Sequence, residues 1–470
     1  MRPLLFWFRR DLRLADNPAL TAAAATGQPI IPVYVVDSQD TGGASRWWLH
    51  HSLAALSQEI VSHGGELVVL EGLPEEQLLQ LANRTGATEV FFQHRYEPES
   101  REQERRLAES ITLYGYHDNL VTRPEALTTK TGGYYRVFTP FWRAASTLGE
   151  PPAPLPVPGS LRFVEIGDTP AGSADLGLLP RNPDWSGGLR ETWSPGEMSA
   201  AQTLDGLEET VRDYADYRDR PDIDATSRLS PHLHFGEVSP RQVWHGVRRI
   251  EMQQEATPGA EALLRQLYWR EFSAYLLYHY PKLPTQPLRP EFEHFPWLDD
   301  AEGLRAWQTG RTGFPIVDAG MRQLWHTGWM HNRVRMIAAS FLVKDLMIPW
   351  QRGADWFMDT LVDADVANNS ASWQWVAGCG TDAAPYFRIF NPLTQAQKFD
   401  PDGAYVRRWV PELAEGTYPG QIVDHKVARE RALAAYDSIK GMRISKSAPT
   451  PAVSNKVSEP PCADATSAAR

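Results

Sequence analysis

The sequence predicts two halves of different class: a doubly wound parallel α/β sheet over residues 1–130 and an all-helical region over 200–440. Three observations carry this. Short apolar runs alternate with helical patterns up to about residue 130. The stretch "EPPAPLPVPGS" at 150–160 can form neither a helix nor a central strand. Beyond residue 200 almost every pattern has the helical period.

In the first half the strand-like runs are "LLFWF", "IIPVYVVD", "ELVVLEG" and "EVFFQHR". Between them lie "NPALTAAAATG", "RWWLHHSLAALSQEIVSHG" and "EEQLLQLANRTG", with a charged helix beginning near Glu97. Asp16 and Asn17 can cap the first helix with Pro18 inside its start, and Gly64 and Gly65 can end the second. Residues 131–199 read as an interdomain linker. The helical half follows in "QTLDGLEETVRDYADYRD", "SPRQVWHGVRRIEMQQ", "ALLRQLYWREFSAYLLYHY", "DAGMRQLWHTG" and "MHNRVRMIAASFLVKDLM". Residues 441–470, rich in Ser, Ala, Pro and Lys, read as a disordered tail.

Composition narrows the function. Two cysteines, Cys379 and Cys462, are too few for a disulfide framework, and no leader-like segment stands at the start, which together predict a cytoplasmic setting. No apolar run reaches bilayer length, since "RMIAASFLVKDLMI" is interrupted by Lys344 and Asp345, so no membrane partner is expected. Net charge is -11, so any nucleic-acid binding has to come from a local cationic patch. The chain has 17 tryptophans, most of them after residue 240.

The stretch "VDADVANNSASWQWVAGCGTDAAPYFRIFNP" concentrates two carboxylates, two asparagines and two indoles. If Asp363 to Val376 is helical, Asp365, Asn369 and Trp373 share one face, while Trp375, turned by roughly 200°, looks the other way. Taken alone, the stretch reads first as a packing helix.

Several chemistries fail on motif grounds. There is no Walker sequence, and "GCGTDA" follows the Trp helix rather than a strand. His232 and His234 stand two apart, and neither H-E-x-x-H, C-x-x-C nor G-x-S-x-G occurs, which predicts no metal site and no hydrolase nucleophile. "DATSRLSPHLHFGEVSPRQVW" does offer Thr226, Ser227 and Ser230 around an expected helix start, where an anion can bind and where a simple N-cap is the commoner role. "YWREF" adds Trp269, Arg270 and Glu271, and "GWMHNRVRM" adds Asn332, Arg333, Arg335 and Met336.

Together "WFRRDLRLADNPAL", "TSRLSPHLHFGEVSPRQ", "WREF", "TGFPIVDAGMRQLWHTGWMHNRVRMIAASFLVKDL" and "WQWVAGCGTDAAPYFRIFNP" resemble the DNA photolyase and cryptochrome flavoproteins, nearest to the microbial cyclobutane pyrimidine dimer photolyases. The likeness runs from about residue 4 to about 440. It implies an N-terminal antenna domain and a C-terminal helical domain holding FAD. Position by position, it implies that Tyr214, Thr226, Ser227, Arg228, Leu229 and Ser230 hold the phosphates and ribitol. It further implies that Arg335 and Asp363 pair beside the flavin ring with Ala364 next to them, that Asp365 accepts from the ring, and that Asn369 faces flavin N5. Trp373, Trp350 and Trp297 are implied as an electron-transfer chain to the surface.

The same resemblance implies that Trp375 and Trp269 stack on the lesion in a pocket shared with Gln266, Asn332 and Met336, and that DNA is gripped by Arg218, Arg270, Arg333, Arg388, Gln395 and Lys398. The reaction implied is light-driven splitting of pyrimidine dimers by reduced FAD, with a second antenna pigment, methenyltetrahydrofolate or a deazaflavin, left open. A monomer is implied. Six-four photolyases have histidines where this chain has Asn332 and Met336, and dimer photolyases commonly have glutamate where it has Gln266. A cryptochrome-type photoreceptor using the same FAD and tryptophans is the alternative.

Overall fold

The computed structural model describes residues 1–37, 42–167, 176–382 and 387–441. The tail predicted to be disordered and Cys462 lie outside them. Five parallel strands form one sheet: β1 (Leu4–Phe8), β2 (Ile30–Val36), β3 (Val68–Glu71), β4 (Glu89–Gln93) and β5 (Thr112–Tyr116), in the order β3-β2-β1-β4-β5. Four of these strands are legible as apolar runs. β5, "TLYGY", escaped because its polar and glycine positions look like a loop; as an edge strand, it needs only one partner.

β1 and β2 are buried at every position, as expected for strands covered by helices on both faces. Pro32 is tolerated in β2 because it stands before the stretch that pairs with β3, which begins at Val33 opposite Val68. Asn17 caps the first helix, Pro18–Ala25, with its side chain accepting from Leu20 N. The order reverses between β1 and β4, so the carboxyl ends of the central strands open a crevice there.

The stretch read as a linker contains the helices Phe138–Ser146 and Gly187–Thr192, the former packed on Thr257–His279, the longest helix of the other half. The apolar stretch after Asn332 is helical only to Ser340 and continues as a π-helical turn, Phe341–Asp345. Both charged residues of that turn are buried. Lys344 Nζ donates to Ala377 O at 2.7 Å, and Asp345 Oδ1 meets His425 Nδ1 at 2.5 Å.

A polar seam joins the halves. Arg13 pairs with Asp118, and Arg241 reaches Asp16 at 2.6 Å and Asp118 at 2.9 Å. Trp48 Nε1 donates to Glu237 Oε1 at 3.0 Å, and the buried Glu271 accepts from the backbone of Val121 and Thr122. Two sequence motifs thus meet face to face, "FRRDLRLADN" and "SPHLHFGEVSP". A Cβ on Gly236 would stand 1.9 Å from Arg10 O, so only glycine, with φ +68°, permits this approach.

Candidate functional site

The site grows from the helix Val366–Ala377. Asp365 is its N-cap, with φ -117° and ψ 126°; Oδ1 accepts from Asn368 N at 2.7 Å and from Asn368 Nδ2 at 2.8 Å. The helix therefore starts three residues later than the spacing from Asp363 suggested, because a capping carboxylate needs extended backbone. Asp363 and Ala364 precede it. Gly378 ends it at φ 89°.

The two indoles part as their spacing predicts. Trp373 is buried, 5.0 Å from the Phe357 ring centroid and 6.1 Å from that of Trp307, whereas Trp375 is half-buried, its Nε1 donating to Asp382 O at 3.0 Å. A Cβ on Gly353 would lie 2.1 Å from the Trp373 ring, so glycine there lets the indole lie on the helix Trp350–Thr360 that begins with Trp350. Trp350 is buried and Trp297 half-buried against Phe295 at 4.4 Å, so burial falls from Trp373 and Trp350 to Trp297. Trp307, which no spacing singled out, is a further buried indole against Trp373.

Three distant segments converge beside this helix. Arg335 grips Asp363 with two contacts, 2.9 and 3.2 Å, its Nε donating to Met330 O at 2.7 Å, and Ser230 Oγ donates to Asp363 Oδ2 at 2.7 Å. Asn369 Nδ2 donates to Ala354 O at 3.0 Å, which fixes the amide with its oxygen turned away. Leu229, not a hydroxyl residue, is the N-cap of Ser230–Phe235, and no side chain caps that six-residue helix. The N-cap reading of Thr226, Ser227 and Ser230 is thereby corrected: Ser227 Oγ accepts from Leu229 N at 3.4 Å, and none of the three hydroxyls caps the helix. Arg228 sits at φ 51° with its guanidinium on Asp224 at 3.1 Å. Tyr214 is buried, with the Arg218 guanidinium 5.4 Å from its ring centroid.

Of the expected DNA contacts, Arg218, Arg333 and Lys398 gather around Asp219 and Phe399. Arg333 meets Asp219 at 2.6 Å, Arg218 lies 3.8 Å from the same carboxylate, and Arg333 and Lys398 stand 4.4 and 5.1 Å from the Phe399 centroid. Arg388 is exposed beside Phe390, and Gln395 is half-buried on Pro392–Phe399. Asn332 and Met336 share a face, Nδ2 to Sδ 3.8 Å. Gln266 Nε2 points back to Ala262 O at 3.4 Å.

Trp269 is half-buried, with one face covered by Phe138 at 3.7 Å between centroids and 6° between planes. Phe138 lies in the run "YYRVFTPFWR", which neither spacing nor resemblance singles out. Arg270, also expected at the DNA, donates to Asn119 O and Oδ1, both at 2.6 Å, on the seam.

A pocket opens at the carboxyl ends of β1 and β2, lined among others by Trp7, Arg9, Arg10, Tyr34, Arg95 and Gln103. Behind it, Arg10 Nη1 stands 2.7 Å from His234 Nε2, and His234 Nδ1 faces Asp365 Oδ2 at 3.9 Å. Burial first, then the charges of Arg10, Arg95 and Arg270, push the pKa of His234 well below the ordinary imidazole value. No group of His, Cys, Asp and Glu that could hold a metal is found among the described residues.

The donor set fits a flavin nucleotide. Asp365 Oδ2 has no hydrogen-bond partner among the described residues and can accept from a ring N–H, and Asn369 offers an amide. The Arg335–Asp363 pair supplies a fixed charge, and Thr226, Ser227 and Ser230 supply hydroxyls beside an uncapped turn.

Fold and site define a two-part flavoprotein: a doubly wound sheet with a pocket at its switch point, joined to a helical half with a nucleotide cradle. Residues 4–159 match the family model "DNA photolyase", and residues 263–417 match "FAD binding domain of DNA photolyase". A deoxyribodipyrimidine photo-lyase of Agrobacterium fabrum is 45% identical over 93% of this chain and 98% of its own. The crystal structure of a bacterial class III photolyase from Agrobacterium tumefaciens superposes with a TM-score of 0.90 at 45% identity, covering 94% of this chain and 98% of that one. Cryptochrome-1 of Arabidopsis thaliana is 38% identical over 87% of this chain but 63% of its own length. The chain belongs to the DNA photolyase family, and its helical half carries that family's FAD-binding domain.

Proposed function

We propose that this chain is a light-dependent DNA repair enzyme, a deoxyribodipyrimidine photo-lyase that splits cyclobutane pyrimidine dimers. The observation that carries the reading is the helix Val366–Ala377. It presents Asn369 and the buried Trp373 inward while the half-buried Trp375 faces the side where Asn332 and Met336 bring no titratable group. FAD, when bound in its reduced form, supplies the light-excited electron that opens the cyclobutane ring and is then returned to it.

The chain's own residues do the rest. Arg335, Asp363, Asp365, Asn369 and the Ser/Thr turn orient the cofactor. Trp375 and Trp269 stack on two flipped bases, worth about 1–3 kcal/mol per base. Because Phe138 covers one face of Trp269, only the other is open to a base, which fixes the side from which the lesion enters. Arg218, Arg333 and Lys398 meet phosphates; Trp373, Trp350 and Trp297 form an indole path to the surface. No acid or base is required at the lesion, in keeping with Asn332 and Met336.

No helix among the described residues is long and apolar enough to cross a membrane. A monomer acting in the cytoplasm is the reading we adopt. A second pigment is assigned to the pocket at the ends of β1 and β2, where Trp7 and three arginines suit a planar, anionic molecule. Whether that pigment is methenyltetrahydrofolate or a deazaflavin is read from its absorption band.

The test is blue illumination of the reduced protein with an oligonucleotide carrying a thymine dimer, following recovery of base absorbance. Light-dependent recovery is expected, and it should survive Trp373→Phe when the flavin is reduced chemically. Flavin photoreduction without recovery would transfer the assignment to a photoreceptor. Absence of flavin from the purified protein would refute the cofactor site.

A further inference from the structure

His232 and His234 of "SPHLHFGEVSP" have no part in the chemistry above. His232 is satisfied within the seam, its Nδ1 held by Glu237 at 2.5 Å. His234 is different. It is buried, and its two ring nitrogens face two different sites: Nε2 meets Arg10 Nη1 at 2.7 Å, in the wall of the sheet pocket, and Nδ1 faces Asp365 Oδ2 at 3.9 Å. A guanidinium has only protons to give, so Nε2 accepts and the ring proton sits on Nδ1, on the side of Asp365. The strongly lowered pKa keeps the ring neutral, so this tautomer is the working form.

The 3.9 Å separation is too long for a hydrogen bond, but the N–H dipole of a buried imidazole at that range still biases the partly exposed carboxylate. The other oxygen of Asp365 is already held by Asn368, so Oδ2 is the one free to be steered. The geometry has little slack, because Gly236 packs its Cα against the Arg10 carbonyl and the Arg10 guanidinium lies 5.0 Å from the Phe235 centroid.

We propose that His234 is a positioning residue that holds Asp365 toward the flavin ring and transmits the electrostatic state of Arg10 in the pocket wall to that carboxylate, coupling the two sites through one imidazole. The proposal rests on the reading of Asp365 as the ring acceptor. Occupation of the pocket by an anionic pigment would draw on Arg10, weaken its hold on Nε2 and let the ring proton move from Nδ1 to Nε2, leaving the imidazole neutral but without a donor toward Asp365. The flavin site would thereby sense whether the pocket is filled.

Two measurements test this. The first is ¹⁵N NMR of the His234 ring in the full chain, where the Nδ1–H tautomer is expected and an Nε2–H tautomer overturns the proposal. The second compares the FAD affinity and midpoint potential of wild type, His234→Gln, His234→Asn, Arg10→Gln and the Arg10→Gln/His234→Gln double variant. Gln reaches the Nε2 position and loses the donor near Asp365, whereas Asn keeps a donor near Nδ1.

We expect His234→Gln and Arg10→Gln each to lower the potential and weaken FAD binding about tenfold, the usual scale for groups that orient a site ligand. His234→Asn should stay within about twofold of wild type, and the double variant should fall no further than His234→Gln. An unchanged potential in His234→Gln, or additive shifts in the double variant, sinks the coupling. Should His234→Gln not fold, an unshifted potential in Arg10→Gln has the same force. A wild type that binds no FAD would refute the flavin site itself, while the NMR tautomer would still decide how His234 is held.

Discussion

The seam and the cleft use the same residue types to opposite ends. In the seam, Arg13, Asp16 and Asp118 are nearly inaccessible; Arg13 pairs with Asp118, and Arg241 from the other half spans Asp16 and Asp118. In the cleft, Asn332 and Arg388 are exposed, Trp269 and Trp375 are half-covered, and Asp365 Oδ2 has no hydrogen-bond partner among the described residues. Closed networks hold halves together; incomplete ones wait for a ligand. A buried charge is tolerated only with its partner present, so the seam cannot be loosened one residue at a time.

The sharpest way to break the contrast is therefore Asp118→Ala. It strands Arg13 and Arg241 in the seam and is expected to cost about 3–5 kcal/mol of stability, read as a fall in Tm or in the denaturant midpoint. Trp375→Ala acts on the other cluster. Loss of one stacking platform should weaken binding to dimer-containing DNA by about 1–3 kcal/mol, with FAD content and Tm close to wild type. If Trp375→Ala instead lost stability on the scale of Asp118→Ala, the indole would be part of the core and the cleft would have to be placed elsewhere.

Much of this was legible. The sheet follows from apolar runs separated by helical ones, and the opposed indoles follow from a two-residue spacing on a helix. The convergence of Ser230, Arg335 and Asp363 came from the resemblance, since sequence distance says nothing of which segments touch. The partners of Arg10 and Arg270 were not legible for the same reason: an arginine reads as a surface charge until the fold places Asn119 or His234 against it. Phe138 was hidden because an aromatic run between prolines has no period. The start of the Val366–Ala377 helix was misplaced because an aspartate can be a cap or a first-turn residue, and only backbone dihedrals decide.

A smaller test lies where the two clusters meet in one helix. His331 caps Asn332–Ser340, which carries Arg333 and Arg335, and its Nδ1 accepts from Arg333 N at 3.2 Å. Burial first, helped by the nearby Arg333 and Arg335 and opposed by Asp219, lowers its pKa to about 4. The folded value lies below the ordinary one of about 6.5, so the unfolded chain takes up the proton first. The contribution is complete above pH 6.5 or so and is lost as pH falls toward 4. Its scale is that of a helix cap, about 1 kcal/mol. His331→Asn, which caps without titrating, should show a shallower fall of Tm between pH 6.5 and 4; an identical pH profile would mean that the cap does not titrate there.

The finest test concerns Gln266, on the helix that also carries Trp269. Its amide is tied only by a long contact of 3.4 Å to Ala262 O, so it can turn into the cleft when a lesion enters. A glutamine there can donate a hydrogen bond to a base carbonyl, but it has no proton to transfer. Gln266→Glu restores an acid that keeps both options in its protonated form, and the difference between such hydrogen bonds is worth about 0.5 kcal/mol. The expected result is a modest rise in dimers split per absorbed photon, at unchanged FAD content and unchanged Tm. Stability cannot account for such a rise, because a half-buried side chain with one weak contact holds nothing else in place. An unaltered yield would place Gln266 outside the reach of the lesion and leave Trp269, with its single open face, as the only residue of that helix in contact with it.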